Sequence, residues 1–235
     1  MTNYEPEAEY KEEIRIKKVN FQKLMKEKSG NCLISRETFD IILSKFQRSK
    51  KRNYDFLVKA GKHFHTAVFN FCKLMCEEEI FPESFNNTTL HMIFKGGKGR
   101  REKLSENRFI HSKNWFPRTV EACVVEEGLR APLIDGSSIY QIGGQPGHRA
   151  EELVFSLKSI IAKYIAEGKP IIIQSYDLAK FFDKENIEDA LLTCIERGAD
   201  LKACRLWYKL NQDTKIRVGT GAGMTEYVEA GALVG

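Results

Sequence analysis

At Thr88 the chain changes its hydrophobic period, and that change rules out both an all-helical and an all-β fold. Upstream, apolar residues recur at helical spacing: Phe39, Ile42, Leu43 and Phe46 share one face, and Phe64, Val68, Phe71, Leu74 and Met75 another. From Thr89 to Phe94 apolar and polar residues alternate, as in a half-buried strand. The glycine-rich run KGGKGRREK follows, and Arg108 to His111 can return as the second strand of a hairpin. An α+β chain with a helical first third is therefore expected. Within that third, residues 1 to 28 read as a helix with a sparse apolar stripe, Ser35 as the N-cap of the next helix, and Tyr54 to Ala60 and Gly61 to Glu79 as two more.

Beyond the hairpin, Trp115 to Glu127 has helical spacing, SSIYQIGGQPGHR is loop-like, and Ala150 to Ala166 is a helix stopped by Gly168 and Pro170. Ile171, Ile172 and Ile173 predict a buried strand, because three consecutive branched apolar residues cannot all face water. Asn186 to Arg197 and Asp200 to Leu210 predict two helices. Lys215 to Val218 and Tyr227 to Ala230 can close a hairpin across GTGAG. The isoleucines run directly into Tyr176-Asp177, and a carboxylate closing a buried strand is fixed and faces a cleft, as a divalent metal ligand must. A strand-end Asp is also a common cap or turn former. Phe181, Phe182 and Asp183 follow at once, and Phe182 is placed to wall such a pocket, although ordinary core packing explains a phenylalanine equally well.

Charge is unevenly placed. The net formal charge is +5, but Lys45 to Lys62 holds seven basic residues against Asp55, and Lys95 to Arg118 holds eight against Glu102 and Glu106. Asp177 to Asp200 reverses the sign, with seven acids against Lys180, Lys184 and Arg197. A basic front and an acidic region behind it suit a protein that holds a polyanion with one part and metal ions with the other, while solvated helix faces are the plain alternative. In the hairpin, glycines let backbone approach phosphate, Lys95 and Lys98 carry mobile charge, and Arg108 presents a planar fork for two phosphate oxygens.

Other chemistries lack support. The basic loop has no GK[ST] ending, so a Walker nucleotide site is not indicated, and no G-x-S-x-G elbow is present. Cys72 and Cys76 lie four apart without a second ligand pair, and His63 and His65 point to different helix faces, so all four read as structural. The six cysteines are widely spread in a chain that is 42% hydrophobic, large enough to fold without staples, and are expected to be reduced thiols. No run approaches the roughly 18 apolar residues of a membrane span, and the N-terminal residues have no secretory core. The expected location is intracellular, in nucleus or cytoplasm and not secreted, with no membrane partner.

Four segments in order resemble the reverse transcriptase domain of non-LTR (LINE-like) retroelements, over about Ile34 to Gly235. SRETFDIILSKFQ through EIFPESFNNTTLHMIFKGGKG looks like the region leading into the first fingers strand. ENRFIHSKNWFPRTVE is similar to the next block, with Phe109 where proline is usual. QIGGQPGHRAEEL resembles the family's "Q.GFR.GRST.D" block, and SYDLAKFFDKEN its "DLSKAFDSVN" block.

The resemblance implies a right-hand polymerase: a charged helical extension over residues 1–33, fingers over 34–170 and a partial palm over 171–235. It makes Asp177 the catalytic, metal-binding aspartate and the Leu178 carbonyl a further ligand, for two Mg²⁺ ions in the complete enzyme. Phe182 would exclude a 2′-hydroxyl, which disfavours an RNA-templated RNA polymerase. Arg108, Lys95 and Lys98 would hold the triphosphate. Arg100, Arg101, Lys113, Gln145 and Arg149 are candidate nucleic-acid contacts. The implied partners are an RNA template, a DNA primer and dNTPs; oligomeric state is left open. The chain has no Asp-Asp pair, and GALVG looks like the opening of the family's next block. The expectation is a fragment that does not polymerise alone. The rival is a non-catalytic RNA-binding remnant.

Overall fold

The computed structural model describes residues 8–49, 54–96, 103, 106–131, 141, 143, 145, 147–176, 186–220 and 223–229. These form a mixed α+β structure in which helices predominate beside a small mixed sheet. Four helices come first: α1 (Ala8–Lys26), α2 (Arg36–Ser49), α3 (Asp55–Lys59) and α4 (Lys62–Glu78). The Ser35 hydroxyl accepts the Thr38 backbone N–H at 3.1 Å, so the expected cap forms.

Strands β1 (Asn87–Phe94) and β2 (Asn107–Lys113) pair antiparallel, with Leu90 opposite His111 and Ile93 opposite Arg108. Helix α5 (Trp115–Val124) continues through a wide π turn, Val125–Leu129. Helices α6 (Ala150–Ala166), α7 (Ile187–Glu196) and α8 (Leu201–Asn211) follow, then β3 (Lys215–Thr220), β4 (Gly223–Met224) and β5 (Val228–Glu229). The expected closing hairpin exists: β3 pairs antiparallel with β4 and β5, Ile216 facing Val228. Alternation alone does not reveal that β3 also pairs parallel with β1, from Asn87 opposite Lys215 to His91 opposite Gly219.

The expectation of a buried strand at Ile171–Ile173 is overturned. Residues 171–176 have no regular secondary structure, and Ile172 is 91% exposed. A buried strand needs hydrogen-bonded neighbours and cover on both faces. Here β1 occupies the sheet's central position, between β2 and β3. Helix α6, which precedes the isoleucines, also buries none of its side chains.

The core lies among the helices. Val120, Cys123 and Val124 of α5, Cys72 and Cys76 of α4, and Ala203, Cys204, Leu206 and Leu210 of α8 are all fully buried. Burying a large aliphatic side chain stabilises by about 1.5–3 kcal/mol, so this cluster supplies much of the driving force. All six cysteines are free thiols. Burial pushes Cys32, Cys72 and Cys204 up to about 12, which keeps them protonated and unreactive.

Two glycines let α8 approach closely. A Cβ on Gly128 would stand 2.3 Å from the Ala203 Cβ, and one on Gly30, whose φ is +105°, would stand 2.5 Å from the Lys202 nitrogen. Asp200 completes this joint: its carboxylate caps α8 through the Ala203 N–H at 2.9 Å and accepts the Asn31 N–H at 2.8 Å.

Arg205 is the polar pivot. It is 3% exposed, its guanidinium donates to Glu79 (Nη2 to Oε1, 2.6 Å) and to the carbonyls of Glu27 and Ser29. Glu79 ends α4 in the left-handed region at φ 54°, and Lys209 adds a second cation at 3.0 Å. Partial burial raises the Glu79 carboxyl, but the hydrogen bonds and charges of Arg205 and Lys209 outweigh it and hold it at about 2. A depressed carboxylate stabilises above its unfolded value and loses that contribution as pH falls toward the folded value. Urea titrations of the wild type should therefore show on the order of 1–2 kcal/mol lost between about pH 5 and pH 2 from this group, solvent screening reducing what the shift alone would give. Glu79→Gln should be less stable at pH 7 and flatter across that window, and an unchanged slope would refute the assignment. Gly128→Val should destabilise by at least about 2 kcal/mol in the same assay, through overlap with Ala203.

Candidate nucleic-acid interface

Strand alternation sorts the hairpin's side chains onto two faces. One face carries Thr88, Leu90, Met92 and Phe94 of β1 with Lys113, His111 and Phe109 of β2, and Ile216 and Val218 of β3. At its base this face turns inward, where Thr88 is 3% exposed. The other carries Thr89, His91 and Ile93, with Ser112, Ile110 and Arg108 opposite them, and Arg217 beside Thr89. Two contacts confirm the grouping. Arg217 Nε donates to Thr89 Oγ1 at 3.1 Å, and His91 Nε2 lies 2.8 Å from Ser112 Oγ.

This polar face is cationic and accessible. Arg108 and His91 are exposed and Arg217 is half-buried. The Arg217 guanidinium sits over the Tyr227 ring, 5.1 Å from its centroid, and Tyr227 is 39% exposed. Lys95 extends the ladder one residue past β1, its N–H bonding the Glu106 carbonyl at 2.9 Å. Beside Tyr227 a cleft of about 520 Å³ is lined by Glu83, Ser84, Asn87, Lys215 and Glu229. Lys215 pairs with Glu83 and stands opposite Glu229, so its charge is locally balanced.

The sequence-predicted residues divide. Arg108 and Lys95 are brought together at the distal end of the ribbon, both exposed. Lys113 is not on their face. Its ammonium donates to the Leu210 carbonyl at 2.6 Å and to Asn211 Oδ1 at 2.7 Å, and stands 3.6 Å from the Glu121 carboxylate. With its side chain 10% exposed, desolvation pulls its pKa down. Lys113 is thus a buried anchor between β2 and the end of α8, and its expected nucleic-acid role is withdrawn. Arg149, at the start of α6, and Gln145, in the loop before it, lie outside the sheet. Asp177, Leu178, Phe182, Lys98, Arg100 and Arg101 lie outside the described residues. Among the described residues no three His, Cys, Asp or Glu side chains group as a metal cage, and no helix is long and apolar enough to cross a membrane.

Sequence reasoning missed Arg217, Tyr227 and His91. Only the parallel pairing of β3 with β1, a long-range contact, puts Arg217 beside the ribbon. No protein-family model matches the chain, and no curated protein matches it significantly.

Lys113 and Arg108, on one strand but opposite faces, should behave differently. Lys113→Met should lower stability in urea titrations by about 2–4 kcal/mol, since Glu121 and the α8 carbonyl lose a buried cation. Arg108→Ala, which removes an exposed side chain, should leave the midpoint of the same titration almost unchanged.

Proposed function

We propose that this chain is part of an RNA-directed DNA polymerase of the reverse transcriptase type, contributing basic fingers and a partial palm. The observation that carries the reading is the ribbon: an exposed Arg108 and Lys95 share the end of an antiparallel hairpin whose connecting segment is rich in glycine and cations. Phosphoryl transfer from a dNTP asks for positioning and charge neutralisation more than for covalent chemistry. Arg108 would grip two triphosphate oxygens through its planar fork, and Lys95 would follow the charge that develops as pyrophosphate leaves.

Phe182 would stand beneath the incoming sugar and leave no room for a 2′-hydroxyl. Asp177 and the Leu178 carbonyl are hard oxygen donors of the kind Mg²⁺ takes, and would hold it. When bound, the two Mg²⁺ ions of this chemistry activate the primer 3′-hydroxyl and stabilise the leaving group. The implied partners are an RNA template, a DNA primer strand and dNTPs.

A second reading, a non-catalytic RNA-binding remnant of such a polymerase, is favoured by one observation. Among the described residues that lead to Asp177, Ile172 and Ile173 are exposed and residues 171–176 belong to no strand, so the described approach to that carboxylate lacks the rigid strand a metal ligand favours.

Photo-crosslinking with azido-dNTP and azido-rNTP in the presence of Mg²⁺ and an RNA template separates the two. The polymerase reading expects deoxynucleotide labelling that falls about tenfold in Arg108→Ala and Asp177→Asn, with Phe182→Ala admitting the ribonucleotide. RNA binding without nucleotide labelling would instead establish the remnant.

A further inference from the structure

Arg217, His91 and Arg108 form a diagonal row across three strands. Arg217 of β3 lies beside Thr89, His91 of β1 is two residues further along, and Arg108 of β2 lies opposite Ile93, two residues further again. Strand rise and spacing put neighbours in this row about 8 Å apart and its ends about 16 Å apart, longer than a single nucleotide. Gly219, opposite His91, has no side chain of its own, and the Met224 thioether and the His91 ring lie above it, 3.4 and 3.6 Å from where a Cβ would be. Exposed Ile93 and Ile110 flank the row with apolar surface.

The Arg217–Tyr227 pair gives one end of the row a planar π surface beside a cation. An extended polyanion needs the charges alone; a strand with unstacked bases uses both charge and ring. A duplex is a poor fit, because the row crosses three paired strands, and a groove admits a helix or a two-stranded ribbon but not a three-stranded face. An acidic protein segment would find no use for the stacked pair.

We propose that this face is a track for a single-stranded nucleic acid, with phosphates on Arg217, His91 and Arg108 and a base stacked at the Arg217–Tyr227 pair. The inference rests on the polynucleotide reading above and adds to it residues that the sequence resemblance does not name. Because Arg217 and Tyr227 lie on the closing hairpin and not on the ribbon, the track extends strand contact well beyond the triphosphate end of the fingers. It requires neither metal nor nucleotide.

Fluorescence anisotropy of the full chain with labelled oligo(U), oligo(dT) and an abasic strand of equal length tests it. Arg217→Ala and Tyr227→Ala should each weaken oligo(U) binding by roughly tenfold. The abasic strand should bind more weakly than oligo(U) and ignore Tyr227→Ala. Arg217→Lys should restore the salt dependence of wild type without restoring the preference for base-bearing strands. Met92→Ser, on the opposite face, should bind as wild type. Tyr227→Ala should weaken oligo(dT) as well, since stacking needs a base and no particular sugar. Wild-type affinity in folded Arg217→Ala and Tyr227→Ala, equal binding of the abasic strand, or an equal loss in Met92→Ser would overturn the proposal. Since no nucleotide or metal enters the assay, strand binding through Arg217 without nucleotide labelling sinks the polymerase reading alone. Labelling with affinity indifferent to Arg217 and Tyr227 sinks only this one.

Discussion

The buried Arg205 guanidinium fixes α8 against the rest of the helical part of this chain. It binds the Glu79 carboxylate that ends α4 and two carbonyls of the segment joining α1 to α2. Two stretches far apart in sequence are thereby held on one side chain of α8. A buried guanidinium is costly unless its donors are satisfied, and here they are satisfied by partners of which two are backbone, so the arrangement is specific as well as stable. Glu79 accepts a left-handed conformation that costs a non-glycine residue about 1 kcal/mol or more, a cost offset by its two cationic partners.

With α8 fixed, the sheet follows. The last turn of α8 presents the Leu210 carbonyl and Asn211 to Lys113, which ties down the base of β2. The chain leaves α8 through Gln212 to Thr214 straight into β3, and β3 enters beside β1. The same placement that buries Lys113 leaves Arg108 outside, because five residues of strand separate them and an odd number reverses the face. A basic block that looks uniform in sequence is thus divided into one structural cation and one available to a partner.

The charge that remains outside is modest and organised. Acids neutralise Lys215, Lys45 and Lys209 locally, whereas Arg217 is turned toward a hydroxyl and an aromatic ring. A guanidinium held by a hydroxyl and a ring has little side-chain freedom left to lose, which is the preorganisation that recognition of an anion would need.

Periodicity alone determined much of this protein: the helix at each amphipathic run, the Ser35 cap, the hairpin of β1 and β2, and the closing hairpin of β3 with β5 all depend on neighbours a few residues away. It also placed Arg108 and Lys95 at the ribbon's end. The tertiary structure alone decided that Lys113 is internal, that Ile171 to Ile173 lie outside the sheet, and that Arg217 joins the exposed cationic face. Each of these turns on which distant strand or helix becomes a neighbour: local pattern specifies what a segment can bury, whereas only the assembled chain settles what is there to cover it.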